Sequence, residues 1–346
     1  MKKQKAVSLF VLVFFMGCML LITSLKEETD TEVYEKTDIL MGTNFQGTIY
    51  GGKENVLSDL VMELRNLEME TLSAKEESSE IGKLNTTGGQ GNYVKISERL
   101  CGYLNDTLNI SEQSNGALDP TVGNISDLWD FGGANERLPG QEEIESELSK
   151  VGYEKILRKE KAVLLPEGMT IDLGAVGKGI GTDYAADYIR EKEDIKGAVI
   201  ALGGSIAILG SKPDGKIFKL AIVNPRGENG EILGILSLKG DCFISTSGDY
   251  EKCFIVDGKR YHHILNPKTG YPAESGLISV TVVCNSGLDS DGLSTACFVL
   301  GLKEGMELLE KYGAEGIFVD EHKNVYVTEG LDSLFTLKAK EYKVVE

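Results

Sequence analysis

The 346-residue chain is predicted to fold as one large α+β domain in which strands and hairpins predominate and helices flank them. Glycine is frequent, at 41 residues against 7 prolines, which indicates many tight turns and few linkers. Short apolar runs are joined by hairpin-type turns, as in the two buried strands over 198–210 about Gly203–Gly204. Strands outnumber helices, so a doubly wound parallel sheet is not favoured.

The sequence predicts the following elements in chain order. Strands are expected over 39–50 (broken at Gly42), 153–172 (about a turn at 166–168), 198–210, 216–223, 232–238, 253–265 (a hairpin about Asp257–Gly258), 278–283, 316–319 and 324–327. Helices are expected over 53–70, from Ser97 (as N-cap) to Gln113, and over 141–151, 290–300 and 303–311.

The charge balance limits the partners that the domain surface can bind. The formal net charge of −18 argues against nucleic acid and against anionic membranes as ligands of that surface. An anionic ligand such as a nucleotide therefore needs local backbone N–H groups, a few cations or a metal ion. The six cysteines show no CxxC spacing, so neither a zinc knuckle nor a thioredoxin-type motif is predicted.

The N-terminus has the pattern of an export signal or a single membrane anchor. Three lysines precede twenty uncharged residues, 6–25, and acidic residues follow, which places the body of the protein on the extracytoplasmic face of the cell membrane. Gly17–Cys18 resembles a bacterial lipobox, with Cys18 lipidated, although Phe15 stands where leucine is usual. An uncleaved anchor helix is the alternative. The resulting division is signal or anchor 1–25, spacer 26–38 and folded domain 39–346.

The stretch from Ile171 to Ile189 is the strongest local signal. It is predicted to form a strand, a glycine-rich turn around Lys178 and the N-terminus of a helix. Such a turn exposes backbone N–H groups at the positive end of a helix dipole and admits a phosphate. It matches neither GxxxxGK[ST] nor GxGxxG, and a tight turn without a ligand is the alternative.

Candidate ligands and bases lie elsewhere in the chain. Asp291 and Thr295, one helical turn apart, are hard oxygen donors suited to Mg²⁺ or Ca²⁺, with helix capping by Ser290 and Asp291 as the alternative. His262 and His263 are expected on opposite faces of a hairpin strand, one of them toward a cleft, with simple strand packing as the alternative. Asp119 and Asp172 are candidates for binding ribose or adenine, or are turn and cap residues, and Met41 either packs on a planar ring or belongs to the core.

Eight stretches together carry a family resemblance. They are Met41-Gly42-Thr43, 72–85, 117–133, 171–189, 201–210, 244–252, 263–272 and 290–301. In this order they resemble the ApbE family of FAD:protein FMN transferases, over about residues 38–330, in a membrane-tethered bacterial lipoprotein form. Departures occur at Lys75, where many relatives carry an aromatic residue, and at Gly82, where serine is common.

The resemblance implies an ApbE-like flavin transferase fold and an activity. Members of the family cleave FAD, their substrate, with Mg²⁺ and transfer FMN through a phosphoester to a Thr or Ser of an acceptor protein, releasing AMP. The acceptors are exported or membrane-bound redox flavoproteins. An FAD pyrophosphatase, which would release FMN and AMP, and a non-catalytic FAD-binding lipoprotein are the alternatives.

Site residues carry over from the family by matching position. Mg²⁺ would be held by the Ala175 carbonyl, Asp291 and Thr295. FAD would contact Met41, Ala117, Leu118, Asp119, Asp172, Lys178 and Ile264. Phosphoryl transfer also needs a base or positioning group for the incoming hydroxyl, and His263 and Asp249 are the candidates.

Overall fold

The structure is a computed structural model that describes residues 31–228 and 230–345. The predicted signal or anchor segment lies outside the described residues. Within them, no helix has both the length and the apolar character needed to cross a membrane. The α+β class is confirmed, because a large and almost wholly antiparallel sheet is flanked by helices.

The central sheet of the described chain has nine strands in the order β1-β2-β6-β7-β10-β13-β14-β15-β17, and only the β15–β17 pair is parallel. Its strands are β1 (Val33–Leu40), β2 (Thr43–Gly51), β6 (Ile195–Leu202), β7 (Ser205–Gly210), β10 (Cys242–Gly248), β13 (Leu277–Cys284), β14 (Glu315–Asp320), β15 (Asn324–Val327) and β17 (Lys343–Val344).

Three smaller sheets accompany it in the part of the chain that the structure describes. They are formed by β3 (Val94–Lys95), β5 (Ala162–Leu164) and β4 (Leu157–Lys159), by β16 (Phe335–Leu337), β9 (Ile232–Leu238) and β8 (Phe218–Val223), and by the hairpin β11 (Cys253–Val256) with β12 (Lys259–His262).

The α-helices of the described residues alternate irregularly with these strands. They are α1 (Val56–Leu67), α2 (Glu80–Lys83), α3 (Glu98–Gln113), α4 (Gly123–Trp129), α5 (Gln141–Leu148), α6 (Gly177–Arg190), α7 (Gly287–Leu300) and α8 (Leu302–Tyr312). Ser97 caps α3, as predicted, by accepting a hydrogen bond from the Leu100 N–H.

Both faces of the central sheet are covered, and strand periodicity divides its side chains between two cores. Along β6, Ala198, Ile200 and Leu202 pack into the core beneath the helices. Val199 and Ala201 point the other way, into a core shared with the β16-β9-β8 sheet. The strand is therefore apolar on both faces, as its continuous apolar sequence indicates.

A third, smaller core lies around the single tryptophan. Trp129 is fully buried, stacks on Phe131 with ring centroids 5.3 Å apart, and donates its indole N–H to the Gly270 carbonyl at 2.9 Å. Ile144 and Leu265 complete its apolar surroundings. This core therefore supports the turn over residues 266–272, which follows the candidate base His263.

Several elements differ from the sequence-based expectation, and three of these differences bear on the domain and the site. Strand β1 begins at Val33 and pairs with β2 as far as Leu40, so the predicted spacer 26–38 runs into the folded domain. Residues 153–172 contain only the short strands β4 and β5. Helix α7 begins at Gly287 with Ser286 as its N-cap, so neither Ser290 nor Asp291 caps it.

Candidate active site

Helices α6 and α7 meet at two glycines close to their N-termini. A Cβ atom on Gly179 would lie 2.1 Å from the Gly287 carbonyl oxygen, and one on Gly287 would lie 2.4 Å from the Gly179 carbonyl oxygen. Side chains at either position would push the two backbones apart. The sequence predicted that the glycines of this turn make room for a ligand. For Gly179, the missing side chain makes room for helix α7.

Each of these helices supplies an aspartate to the first turn of the other. Asp291 of α7 accepts from the Gly179 N–H at 2.9 Å. Asp183 of α6 accepts from the N–H groups of Gly287 and Leu288 at 2.6 and 2.7 Å. Burial raises the pKa of Asp183 in spite of these hydrogen bonds. The two N-termini are therefore capped reciprocally by residues distant in sequence.

Asp291 is the most constrained carboxylate of this contact. It is 2% exposed, accepts from the Ser205 hydroxyl at 3.0 Å, and lies 3.4 Å from the Lys178 ammonium. Burial alone would lower the pKa of Lys178, but the carboxylates of Asp291 and Glu251 outweigh it and raise that pKa. Lys178 is therefore a stable cation beside a buried anion.

The Ala175 carbonyl lies just before helix α6 and outside its hydrogen-bond ladder. The first helical bond runs from the Ile180 N–H to the carbonyl of the N-cap residue Val176. The Gly179 N–H, which has no helical partner in the first turn, is donated to Asp291. Thr295 lies one turn beyond Asp291 on α7, and its hydroxyl is 3.2 Å from that of Ser247. A carbonyl, a carboxylate and a hydroxyl are the donors that Mg²⁺ prefers.

This donor set contains one acidic residue, so it differs from carboxylate-rich or cysteine–histidine metal sites. The described residues contain no group of three or more His, Cys, Asp or Glu side chains able to hold a metal ion. An ion at Ala175, Asp291 and Thr295 would thus keep open positions for water or for phosphate oxygens, as Mg²⁺ does at nucleotide sites.

Met41 is brought to the same helix by the β1–β2 hairpin. It occupies the hairpin turn with φ +49° and donates its backbone N–H to Glu68 at 3.0 Å. Its sulfur lies 3.0 Å from the position that a Cβ atom on Gly181 would take. The half-buried Met41 side chain therefore packs on α6 at Gly181, one turn beyond Gly177.

The segments that carry Asp119 and Asp172 are adjacent. The Asp172 N–H donates to the Pro120 carbonyl at 2.8 Å, and the Asp172 carboxylate accepts from the Gly174 N–H at 2.7 Å. Asp119 is buried, and its oxygens accept from the N–H and hydroxyl of Thr121 and from the N–H of Tyr153. Burial raises the pKa of Asp119.

Turn and cap geometry, the alternative considered for both aspartates, is thus present at each. The residues Ala117 and Leu118 are 5% and 2% exposed, main chain included. A ligand would therefore contact only the small exposed part of either residue.

The paired histidines have different environments, and His263 lies just past the end of β12, the strand that was expected to contain both. His262 is buried, lies edge-on to Phe298, and donates its Nε2–H to the Ala273 carbonyl at 3.1 Å. His263 is only partly buried, and its N–H and Nδ1 lie 3.0 and 3.3 Å from the Lys252 carbonyl. Burial, together with Lys178 and Lys252, lowers the pKa of His263 to about 3.

His263 and Ile264 therefore adjoin the cationic side of the site. The electrostatic influence of Lys178 on His263 links this strand end to α6. The Ile264 carbonyl accepts from the Ala273 N–H at 2.9 Å, so its side of the backbone is tied to the following turn.

Asp249 does not have the environment expected of a free base. Its two oxygens accept from both guanidinium nitrogens of Arg226, at 2.7 and 2.6 Å. The aspartate is 7% exposed. Asp249 therefore stays a predicted base, and in the structure both of its oxygens are engaged in a bidentate ion pair with Arg226.

Several residues of this site were missed by sequence reasoning. They are Asp183, Ser205, Arg226, Ser247 and Glu251. All except Arg226 lie inside the family-like stretches. Their position there, together with their polar side chains, was the signal that could have identified them as site residues. Arg226 lies outside these stretches, and only the folded chain brings it to Asp249.

Comparison with known proteins places these residues in a family. The model of the ApbE family matches residues 41–318. The FAD:protein FMN transferase of Treponema pallidum is 30% identical over 321 residues, covering 86% of this chain and 87% of that protein. The enzyme of the same name from Haemophilus influenzae is 29% identical over 316 residues, covering 87% and 90%.

Solved structures agree with the sequence comparison. The ApbE protein of Thermotoga maritima superimposes with a TM-score of 0.79 at 30% identity, covering 88% of this chain and 99% of that one. The flavin transferase ApbE from Vibrio cholerae gives 0.78 at 26% identity, with the same coverage. The family match, the sequence identity and the shared fold agree: this chain belongs to the ApbE family.

Proposed function

We propose that the protein transfers FMN from FAD to a Thr or Ser hydroxyl of an exported or membrane-bound redox flavoprotein, releasing AMP. The observation that carries the proposal is the α6–α7 junction, where the Lys178 ammonium lies 3.4 Å from Asp291 and Asp291 caps the first turn of α6, the helix that follows Ala175. Cation, carboxylate and main-chain oxygen are the groups that handling a pyrophosphate requires. The names of the relatives support the same reaction.

The proposed metal is Mg²⁺, held by Ala175, Asp291 and Thr295. When bound, it would neutralise charge on the phosphate oxygens. Asp291 is already oriented for this role by Gly179 and Ser205, so a ligand oxygen would not have to be immobilised on binding. Lys178 would shift from Asp291 toward the phosphates and bind them as a point charge.

His263 is the proposed base for the incoming hydroxyl. A carbonyl oxygen only accepts, so the contact with Lys252 places the ring hydrogen on Nδ1 and leaves the lone pair on Nε2. The acceptor oxygen would form a bond to the phosphorus on the FMN side, its proton would pass to Nε2, and the bond to AMP would break. Bound phosphates would offset Lys178 and Lys252 and raise the low pKa of His263.

The location is proposed from the N-terminal sequence. The uncharged run 6–25 between lysines and acidic residues supports export, followed by attachment to the membrane through Cys18 or through an uncleaved helix. An extracytoplasmic location would bring the domain to the exported flavoproteins proposed as its acceptors.

The proposed reaction is tested by incubating the protein with FAD, Mg²⁺ and an exported flavoprotein domain. Covalent flavin fluorescence on the acceptor in a denaturing gel, with release of AMP, is the expected result. Release of FMN and AMP without a labelled acceptor would replace the proposal by a pyrophosphatase. Tight FAD binding without AMP would reduce it to a binding protein.

A further inference from the structure

The Arg226–Asp249 ion pair joins two parts of the fold that the sequence does not connect. Arg226 lies in the connection between β8 and β9, in the three-stranded sheet. Asp249 follows β10 of the central sheet. The pair is bidentate, and the side chains of Arg226 and Asp249 are 30% and 10% exposed, so solvent screens it less than a surface pair.

Arg226 is held in place before it meets the carboxylate. Its N–H donates to the Asn224 side-chain oxygen at 3.1 Å, and one guanidinium nitrogen donates to the Pro225 carbonyl at 3.0 Å. Asn224 in turn accepts from the Tyr342 hydroxyl and donates to Glu341. The guanidinium is therefore anchored through the C-terminal segment of the chain, which limits the positions it can take.

Asp249 opens the segment 249–252, which reaches both sides of the proposed site. Glu251 raises the pKa of Lys178, and one of its oxygens lies 3.5 Å from where a Cβ atom on Gly204 would stand. The Lys252 carbonyl accepts from the N–H of His263 and contacts its Nδ1. A shift of this segment would therefore displace His263, the proposed base, and at the same time move the Glu251 carboxylate relative to Lys178.

We propose that Arg226 is a positioning residue for flavin transfer, acting through Asp249 to hold segment 249–252 in register with His263 and Lys178. The inference rests on the proposed function for the reaction that it serves. Its geometric part, the immobilisation of the His263 backbone, is independent of that reaction. Among the described residues, Arg226 hydrogen-bonds to Asn224, Pro225 and Asp249 and not to Lys178, His263 or Asp291, so its effect is expected on kcat and not on the binding of FAD.

The test compares Arg226→Met with Arg137→Met, a matched control. Arg137 makes an equally bidentate pair with Glu143, at 2.7 and 2.8 Å, on the exposed surface of the loop before α5. Arg226→Met is expected to lower kcat about 10- to 100-fold per folded molecule, with the KM for FAD changed less than about threefold. Arg226→Lys should recover little, because lysine cannot form the fork. Arg137→Met should match the parent.

Hydrogen exchange provides the readout that does not depend on turnover. In the free protein, Arg226→Met should speed exchange of the His263 amide beyond any change in global stability, and Asp249→Asn in that background should add little. Unchanged exchange at His263 would overturn the inference even if the parent transfers FMN. An activity loss that merely follows the unfolded fraction would do the same. If Arg226→Met speeds exchange at His263 but the parent protein transfers no FMN, the result would count against the proposed reaction and not against the positioning role of Arg226.

Discussion

Asp291 shows what a single residue's type and spacing can reveal and what they cannot. Sequence reasoning considered a metal ligand and a cap on its own helix. The structure makes it a cap on α6, through a hydrogen bond to Gly179, 112 positions earlier in the chain. Because that partner is brought in by the packing of two helices, no local pattern around Asp291 could have identified it.

Replacing Asp291 by Asn is expected to reduce Mg²⁺-dependent turnover at least roughly 100-fold. Losing a residue that only supports a metal ligand costs up to about 100-fold, and losing the ligand itself should cost at least as much. The amide preserves the shape but removes the charge next to Lys178. Turnover against Mg²⁺ concentration measures the effect. Asp183→Asn, the reciprocal cap, should lose stability while keeping its Mg²⁺ dependence. Equal Mg²⁺ dependence in the Asp291 variant would remove the metal assignment.

The protonation of His263 leads to a prediction about stability and pH. Its pKa falls from 6.5 in ordinary surroundings to about 3 in the folded protein. Between these pH values the unfolded chain therefore binds more protons than the folded chain, so the free energy of unfolding falls as pH falls through that window. His263→Gln removes this pH-dependent loss, because glutamine does not titrate. Relative to the parent, the variant should gain about 1–2 kcal/mol in free energy of unfolding between pH 7.5 and pH 5.0.

Urea denaturation of both proteins at the two pH values measures this difference. His262 remains in both, so its own lowered pKa cancels in the comparison. A constant difference between the proteins would mean that His263 titrates normally in the folded state.

At the scale of elements, hairpins and amphipathic helices were predicted well because their signals are local. The strands about Gly203–Gly204 and the hairpin about Asp257–Gly258 are where turn residues place them. The strand expected to begin at Ile171 is absent. There the Asn85 side chain accepts from the Ile171 N–H and donates to its carbonyl, at 2.7 and 2.9 Å, and takes the place of a neighbouring strand.

The departure at Gly82 also has a structural reason within its element. A Cβ atom at this position would lie 2.0 Å from the Glu76 carbonyl oxygen. A serine could not be accommodated in α2 while the preceding loop keeps this path. The path of the loop at Glu76 therefore requires glycine at position 82. A comparison of motifs alone does not show this requirement, because it depends on a contact in the folded chain.

The α6–α7 contact predicts a large effect of one methyl group. Gly179→Ala would place Cβ against the Gly287 backbone, so the helices must separate, at a cost of more than about 2 kcal/mol. Gly102→Ala in α3 is the control: nothing lies within 4 Å of its Cβ position, and it should gain about 0.4–1 kcal/mol. Thermal and chemical unfolding measure both. Equal stabilities would show that the two helices do not touch as described.

At the scale of the whole molecule, the class and the family-like order of motifs could be predicted, but the start of the domain could not. Composition suggests a spacer through residue 38 because the segment is polar and charged. In the structure, β1 is an edge strand of the central sheet with alternating exposure, and its exposed side carries Val33 and Ile39 as well as Glu35 and Thr37. Hydrophobicity alone does not distinguish such a strand from a tether.

The domain boundary can be tested by comparing chains that begin at residue 31 and at residue 39. The shorter chain loses most of β1 and exposes the hydrogen-bonding edge of β2. We expect its Tm to fall by roughly 5–10 °C and its tendency to associate to rise. Calorimetry and size-exclusion chromatography at several concentrations check both. Matching behaviour of the two chains would restore the boundary at residue 39.

The buried tryptophan has a spectroscopic consequence. Since Trp129 is the sole tryptophan of the chain, the indole emission comes from one site, the core under the turn that follows His263. An oxidised flavin absorbs where indole emits, so resonance energy transfer would quench Trp129 when FAD binds nearby. Trp129 fluorescence is therefore an intrinsic probe of the protein. Quenching of its emission would report FAD binding, and a red shift of its emission maximum would report unfolding of the core around Trp129.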